Sequence, residues 1–234
     1  MALRDRILWF LRIVRGGSLY LLRTRSLNIS RLLTYYAWSK AWTRAIWLGI
    51  PVQQNPNDLI TLQQLLFETK PDFVVETGTS LGGSAVFYAS IFELLMHGQV
   101  ISVDIDHSST KRTLADHPLS KRIRLLTCDS SSPEASRRVK QIVGDHPKLH
   151  VFLDSDHHKN HVLAELRNFR DLVPVGHYIV VFDTNLEDSA EWKCDSPATA
   201  VEEFLHESND FEVDRSWEKF EVTLCRGGFL KRVR

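Results

Sequence analysis

The stretch PDFVVETGTSLGGSAVFYAS, residues 71–90, decides the fold. An apolar run ends on a glutamate, Glu76, and passes through a loop of Gly, Ser and Thr into apolar residues that recur at helical spacing. A strand, a small-residue loop and a helix in this order are typical of the first unit of a doubly wound α/β sheet. The loop is either a simple connection between two elements or a surface that lies against a nucleotide-like ligand, with Glu76 directed at part of it.

Apolar, β-branched runs and helical patterns alternate through the rest of the chain. They predict strands at 73–76, 100–104, 123–127, 149–154 and 178–183, and helices at 83–97, 108–116, 133–143, 159–173 and 198–207. Strands that are apolar throughout indicate a parallel sheet covered by helices on both faces. An earlier helix is capped by Asn57-Asp58 and runs through Lys70, and the tail at 211–225 has the pattern of a closing antiparallel pair. We therefore predict a doubly wound, mostly parallel, seven-stranded α/β sheet over residues 51–234.

Residues 1–50 differ from the rest of the chain in charge. They hold nine Lys/Arg and one acidic residue, Asp5, whereas the remainder holds 20 basic and 28 acidic residues. The pattern predicts an N-terminal extension of two helices, 3–14 and 31–47, the second of which is rich in Trp and Tyr. The extension either covers the main domain or a second copy of the chain in a homo-oligomer, or it contacts an anionic membrane surface through residues 1–25.

Composition limits the partners and the location of the protein. With 234 residues and a formal net charge of zero, the chain has no overall field that attracts polyanions, so no nucleic-acid partner is expected. The three cysteines, Cys128, Cys194 and Cys225, lack metal-type spacing and indicate a reduced, cytoplasmic protein. The apolar stretch 7–14 is far shorter than the roughly 20 residues that a membrane-spanning helix needs.

Carboxylates stand at or just after the ends of the five predicted parallel strands: Glu76, Asp104, Asp129, Asp154 and Asp183. In a doubly wound sheet, ligands bind outside these carboxyl ends. Any one carboxylate can be explained as a helix cap, but capping alone does not explain a carboxylate at every strand end. The set therefore predicts a site for a positively charged ligand at this edge of the sheet.

The loop after Glu76 reads E-T-G-T-S-L-G-G-S, which is a poor match to G-x-G-x-x-G and lacks the lysine of a phosphate-binding loop. The acid would repel a pyrophosphate but suits an amine or a sulfonium group. Gly78, Gly82 and Gly83 allow the backbone to approach a ligand closely, and the following helix directs free N–H groups at it. Asp104 lies 22 residues beyond Gly82, a spacing suited to binding ribose hydroxyls. These features favour S-adenosylmethionine over NAD.

Four segments carry a family resemblance: 47–90, which begins WLGIPVQQNPND, VISVDID (100–106), 152–185, which begins FLDSDHHKNH, and GGFLKR (227–232). Over about Trp47 to Arg232, the sequence resembles the cephalosporin hydroxylase / rhamnosyl O-methyltransferase family. The resemblance implies a Rossmann-like class I methyltransferase fold, S-adenosylmethionine as cofactor and often a divalent cation. It places Glu76, Gly78 and Ser84 at the methionine end of the cofactor, Asp104 at the ribose, and Cys128, Asp129 and Ser130 near the adenine. The predicted cofactor-binding residues are thus Glu76, Gly78, Thr79, Ser80, Gly82, Gly83, Ser84, Asp104, Asp129, Ser130 and Asp154.

The second motif, DSDHHKNH at 154–161, crowds charged side chains into one turn after a strand. Asp154 and Asp156, with Asp183 from the end of the next strand, offer the oxygen ligands that Mg²⁺ takes. The arrangement of Asp156 and Asp183 is similar to that of catechol- and caffeoyl-CoA-type O-methyltransferases. Zinc has no compelling ligand spacing here. The alternative is purely structural, with Asp154 and Asp156 as caps of the helix that follows.

The sequence departs from the family before Asp183, where hydroxylase-like members commonly place a glutamate and this chain has Phe182. Because a phenylalanine cannot bind a cation, we expect the metal site to lose one ligand.

Methylation of a hydroxyl needs a group that collects its proton. His157 is the natural base at neutral pH. Lys159, which stands three residues after Asp156 as a catalytic lysine does in the catechol-type enzymes, is the second candidate and would need a lowered pKa. We expect His158 and His161 to be surface or capping residues.

The sequence therefore predicts an S-adenosylmethionine-dependent O-methyltransferase that acts on a hydroxyl of a sugar, a glycolipid or a secondary metabolite, assisted by Mg²⁺. Two alternatives stay open: a non-catalytic protein that keeps the cofactor fold as a binding or scaffold module, and an NAD-linked oxidoreductase.

Overall fold

The computed structural model describes Leu32 and residues 39–145, 147–188, 192–220 and 222–234. The predicted helix at 3–14, and the segment 1–25 proposed for membrane contact, lie outside the described residues. Of the predicted helix at 31–47, Leu32 is helical, but the prediction is wrong from residue 39 onward, because Ala41–Arg44 is a short 3₁₀ helix and Ile46–Trp47 is a strand. Lys40, at the start of this part, has a φ of 51°, which no α-helix accommodates.

The nine strands in the described residues form a small hairpin and one large sheet. The strands are β1 (Ile46–Trp47), β2 (Ile50–Pro51), β3 (Phe73–Thr77), β4 (Gln99–Asp104), β5 (Ile123–Thr127), β6 (Leu149–Leu153), β7 (Tyr178–Val181), β8 (Phe211–Val213) and β9 (Phe229–Arg232) in the described chain. Strands β1 and β2 pair in the hairpin, and the others follow the order β5-β4-β3-β6-β7-β9-β8. Strands β3 to β7 run parallel, whereas β9 is antiparallel to both of its neighbours. The predicted doubly wound, mostly parallel, seven-stranded sheet is confirmed.

Six described α-helices connect these strands: α1 (Pro56–Thr69), α2 (Gly83–Leu95), α3 (Ser108–Leu114), α4 (Pro133–Val143), α5 (Lys159–Phe169) and α6 (Pro197–Glu207). The first begins earlier than predicted. Its cap is Asn55, whose side chain accepts the N–H of Asn57, and Pro56 occupies the first helical position, where its missing N–H is not needed. In the described residues, no helix has both the length and the apolar character that a bilayer crossing requires.

Two apolar layers bury the sheet. Val74 and Phe152 pack with α1 and α2 on one face, whereas their neighbours Val75 and Val151 pack with α4, α5 and α6 on the other. This alternation follows from the two-residue period of a strand. With both faces covered by helices, the carboxyl ends of β3 to β7 are left as the edge where polar side chains gather.

The sheet does end in an antiparallel pair, as predicted for the tail at 211–225, but only the first of its two strands lies in that segment. Strand β8 pairs with β9, so that Phe211 lies opposite Arg232, and Phe220 to Cys225 is not a strand where it is described. The loop instead binds the start of α1, since the Leu224 N–H donates to the Asp58 carboxylate at 2.8 Å. These tertiary hydrogen bonds take the place of a ladder.

Candidate active site

Glu76 is a buried acid at the centre of the edge. It lies in β3 between Ser102 of β4 and Phe152 of β6, and only 2% of it is exposed. The Ser102 hydroxyl donates to its Oε1 at 2.6 Å. Burial raises the pKa of Glu76 to about 7, although hydrogen bonds from Ser102 and Ser84 act in the opposite direction. A cation at this position would favour the ionised form, so the surroundings of Glu76 suit a positively charged ligand.

The glycine loop after β3 is held by contacts within the protein. Gly78 has a φ of +82°, and a Cβ there would lie 2.0 Å from the carbonyl oxygen of Asp154. A Cβ on Gly83 would lie 2.1 Å from the carbonyl oxygen of Pro51. Gly82 caps α2 with a φ of +88°. The close approach that we predicted between glycine and ligand is therefore, at Gly78 and Gly83, an approach between backbone segments that brings the loops of the site together.

Asp104 fixes the same loop from β4. Its Oδ2 accepts the backbone N–H groups of Thr79 at 2.8 Å and Ser80 at 3.2 Å, and its Oδ1 accepts that of Asp106 at 3.1 Å. The Thr79 hydroxyl lies 2.5 Å from the Ser102 hydroxyl. Asp104 thus joins two neighbouring strand ends while its carboxylate stays partly exposed at the edge.

Asp129 and Ser130 follow β5. The Asp129 carboxylate accepts the N–H and the hydroxyl of Ser131, which lowers its pKa. Ser130 is buried, and its Oγ lies 3.3 Å from Nε2 of His161 on α5. The hydrogen bond from His161 to the buried Glu165 raises the pKa of that histidine. Residues after β5 and on α5 thus form one polar cluster at this end of the site.

Asp154, His157 and Asp183 come together as a candidate metal group. One ligand atom from each lies within 4.8 Å of the others. His157 Nε2 is 3.4 Å from Asp183 Oδ2. Asp154 follows β6, and Asp183 follows β7 with a φ of +54°, a left-handed conformation that non-glycine residues rarely adopt. Such a conformation at a polar strand end is typical of functional sites.

The charges of this group indicate that it binds a cation. Burial and the nearby carboxylates of Asp183 and Glu76 raise the pKa of Asp154 well above its usual range. Burial also raises the pKa of Asp183, and His157 acts in the opposite direction. Two carboxylates this close resist joint ionisation unless a cation lies between them. Carboxylate oxygens are the ligands that Mg²⁺ prefers, so the donor set fits this ion.

A sequence profile described as rhamnosyl O-methyltransferase/CmcI matches residues 39–233. The chain belongs to the rhamnosyl O-methyltransferase/CmcI family. Rhamnosyl O-methyltransferases of Mycobacterium tuberculosis and Mycobacterium leprae are each 32% identical to it, over 209 and 210 residues. These alignments cover 85% of this chain, and 83% and 89% of the two relatives.

A solved structure of CmcI with Mg and S-adenosylmethionine aligns with a TM-score of 0.66 at 21% identity, covering 82% of this chain and 78% of that chain. This likeness shows the class I methyltransferase fold. The predicted family and fold are confirmed, and so is the predicted activity: the chain is an S-adenosylmethionine-dependent O-methyltransferase.

Two predicted site residues of this family member lie elsewhere. Asp156, predicted as a metal ligand, is exposed, and its Oδ1 accepts the His158 N–H as a turn cap at 2.8 Å. Lys159, the second candidate for the base, forms an ion pair with Glu203 on α6 at 2.7 Å, which raises its pKa. A base near neutral pH needs the opposite shift, so Lys159 does not suit that role.

Phe182 is a core residue of this family member rather than a gap in the metal group. Its side chain is 1% exposed and meets the ring of Phe152 edge-on, with centroids 6.3 Å apart. The backbone turns between Phe182 and Asp183, so that one side chain enters the core while the next joins the group. Position 182 therefore provides no metal ligand. The side chains that lie beside Asp183 are instead those of Asp154 and His157, from the loop after β6.

Two contacts near Asp154, His157 and Asp183 could not be predicted from the sequence. Gln54 Nε2 donates to Asp154 Oδ2 at 2.5 Å. Trp192 packs against His158, with ring centroids 5.0 Å apart, and meets His157 edge-on at 6.4 Å. Neither contact has a local signal, because each partner lies in a distant loop. The expected surface position of His158 agrees with the structure: it is exposed at the start of α5, its side chain makes no cap hydrogen bond, and its Nδ1 lies 2.9 Å from Asp195.

Proposed function

We propose that this methyltransferase methylates a hydroxyl of a sugar or of a sugar-bearing metabolite, with Mg²⁺ held by Asp154 and Asp183 and with His157 as the base. The observation that carries the proposal is the group of Asp154, His157 and Asp183 at the same sheet edge as Glu76. The names of the mycobacterial relatives, which are rhamnosyl O-methyltransferases, support a sugar hydroxyl as acceptor.

The cofactor would lie along the strand ends, with its cationic methionine end at Glu76, its ribose at Asp104 and its adenine at Ser130. When bound, S-adenosylmethionine supplies a methyl group on a positively charged sulfur, and Mg²⁺ supplies a charge that lowers the pKa of a hydroxyl. The loop that Asp104 holds through Thr79 and Ser80 sets the backbone against this ligand. Much of the rate enhancement then comes from the alignment of two bound reactants.

His157 would remove the proton from the acceptor hydroxyl. Mg²⁺ prefers oxygen ligands, so the two carboxylates hold the ion and the imidazole remains free for proton transfer. Asp183 Oδ2, 3.4 Å from Nε2, would stabilise the imidazolium that forms. One third of the His157 side chain is exposed (33%), which leaves it within reach of an acceptor.

Isothermal titration with Mg²⁺ and with S-adenosylmethionine tests the site, and transfer of a labelled methyl group to a panel of rhamnosides and other glycosides tests the activity. We expect Asp154→Asn and Asp183→Asn to abolish Mg²⁺ binding, while the exposed Asp156→Asn serves as a matched control and binds normally. His157→Gln should keep Mg²⁺ binding and lower turnover by about 10²–10⁴-fold. Loss of Mg²⁺ binding in His157→Gln would instead make this residue a ligand. Loss in Asp156→Asn alone would overturn the assignment.

The alternative of a non-catalytic binding protein predicts that S-adenosylmethionine binds but that no acceptor of the panel is methylated, with or without Mg²⁺.

We also propose a cytoplasmic location, with residues 1–25 in contact with an anionic membrane surface. Their deletion should abolish co-sedimentation with anionic liposomes and leave cofactor binding intact. Self-association through the N-terminal extension is a further hypothesis, which sedimentation of the full chain and of the same deletion variant tests.

A further inference from the structure

Gln53 and Gln54 lie in the segment 47–58, just after the hairpin of β1 and β2, and they connect two loops of the site. The Ser80 hydroxyl of the loop after β3 donates to Gln53 Oε1 at 2.7 Å. Gln54 Nε2 donates to Asp154 Oδ2, in the loop after β6, at 2.5 Å. Gln53 has a φ of +52°, an unfavourable conformation for a glutamine. This strained backbone is held in place by its surroundings and directs the next side chain at Asp154.

The carbonyl oxygen of the Gln54 side chain is buried without a partner. Gln54 is 3% exposed, and its Oε1 has no hydrogen-bond donor within the part of the chain that the structure describes. Folded proteins rarely leave such an oxygen unsatisfied unless a water, an ion or a ligand completes it. Because both polar atoms belong to one planar amide, Oε1 lies within about 5 Å of Asp154 Oδ2.

The charges around this oxygen define the chemistry of its partner. Asp154 is in direct contact with the amide, and Glu76 lies in β3 directly before Thr77, whose carbonyl oxygen accepts the Asp154 N–H at 3.1 Å. A carbonyl oxygen beside two carboxylates offers only acceptors. A carboxylate or a phosphate would be repelled, whereas a primary ammonium group carries three donors and the charge that both acids require.

We infer that Gln54 is a cofactor-binding residue whose Oε1 accepts a hydrogen bond from the ammonium group of the methionine moiety of S-adenosylmethionine. The inference rests on the proposed placement of the methionine end at Glu76. It assigns two functions to one side chain: Nε2 orients the Asp154 carboxylate, and Oε1 recognises the amino acid part of the cofactor.

Titration calorimetry with two ligands tests the inference, because 5′-methylthioadenosine keeps the nucleoside and lacks the amino acid. In Gln54→Met, the Kd of S-adenosylmethionine should rise on the order of ten- to a hundredfold, since a hydrogen bond to a charged group is lost. The Kd of 5′-methylthioadenosine should stay within about twofold, because its contacts are untouched. Gln64→Met, on α1 and paired with Glu68 at 2.7 Å, is the matched control and should leave both constants unchanged.

Equal weakening of both ligands, or an unchanged Kd for S-adenosylmethionine, would overturn the inference while leaving the proposed function in place. A wild-type protein that binds neither ligand would instead overturn the proposed function. Decarboxylated S-adenosylhomocysteine, which is a thioether like 5′-methylthioadenosine but carries the ammonium group, gives a second measurement on the wild type alone and does not depend on the folding of a variant. It should bind more tightly than 5′-methylthioadenosine, and equal affinity of these two ligands would also contradict the inference.

Discussion

The carbonyl oxygen of Asp154 occupies the space into which a side chain at Gly78 would project, since a Cβ on that glycine would lie 2.0 Å from it. The loop after β3, which we assign to the cofactor, is therefore in direct backbone contact with the loop after β6, which carries the candidate metal group. A displacement of one loop moves the other. The two halves of the site form one packed unit.

Replacement of this glycine should damage both halves. In Gly78→Ala, the methyl group meets backbone that cannot rotate away, and we expect the free energy of unfolding to fall by about 3 kcal/mol or more. Gly176→Ala separates this effect from backbone strain, because Gly176 has a similar φ of +84° and nothing within 4 Å of its Cβ position. That control should lose only ~1 kcal/mol. Urea unfolding of both variants measures the difference, and equal losses would contradict the contact.

The buried Glu76 should make the stability of the ligand-free protein depend on pH. Its pKa is raised from 4.5 to about 7, so the folded state binds a proton more tightly than the unfolded state does. Between pH 4.5 and 7, the free energy of unfolding of the wild type should therefore fall with rising pH relative to Glu76→Gln, by on the order of 3 kcal/mol. Urea titrations at several pH values test this, and parallel curves for the two proteins would disprove it.

The same residue should make cofactor binding depend on pH. A cationic methionine end binds the ionised carboxylate, so the affinity of the wild type for S-adenosylmethionine should rise as the pH passes through about 7. The rise should be absent in Glu76→Gln. Calorimetry at pH 6 and pH 8 compares the two proteins, and a rise of the same size in both would remove Glu76 from the cofactor site.

A glutamate at position 182 should not restore a metal ligand. Phe182 lies in the core against Phe152, so Phe182→Glu would bury a charge and lower the free energy of unfolding by several kcal/mol, about 4 or more. Phe182→Leu, which keeps an apolar side chain there, should lose about 1–2 kcal/mol. Thermal unfolding ranks the variants. Tighter Mg²⁺ binding by a folded Phe182→Glu protein would show that the side chain can reach the group.

Lys159 should be dispensable for the chemistry. Its ion pair with Glu203 raises its pKa and directs it to α6, so Lys159→Met should keep the methyl-transfer rate and the pH profile of the wild type on any acceptor that the wild type methylates. His157→Gln should lose the rate on the same acceptor. A pH–rate profile of Lys159→Met that lacks the ascending limb would return this lysine to the role of base.

The central sheet could be predicted from the sequence because its parallel strands are apolar on both faces, as the runs at 73–76 and 178–183 show. The structure of the segment at 220–225 could not be predicted, although its apolar and polar residues alternate as they do in a strand. Its backbone groups bind the start of α1, and Leu224 is 166 residues from its partner Asp58. Such a partner overrides local preference and leaves no trace in the local pattern.

The residues of the site also divide into those that the sequence predicts and those that only the structure reveals. The positions of Glu76, Asp154 and Asp183 follow from strand ends that share an edge. Whether Asp156 or His157 joins the candidate metal group depends on the conformation of the loop after β6. In the structure, the Asp156 carboxylate accepts the His158 N–H instead. Lys159 and Gln54 take partners that lie far away along the chain, Glu203 and Asp154. Spacing alone cannot reveal which of several polar neighbours a tertiary contact will select.

Strand β9 fills the gap between β7 and β8, and it follows both of them along the chain. During synthesis, β7 and β8 therefore emerge from the ribosome before the strand that lies between them. Each has an open edge until Phe229–Arg232 emerges, and open edges are templates for pairing with other nascent chains. The sheet is thus completed late, and overproduction at high temperature should yield aggregates unless chaperones shield this intermediate.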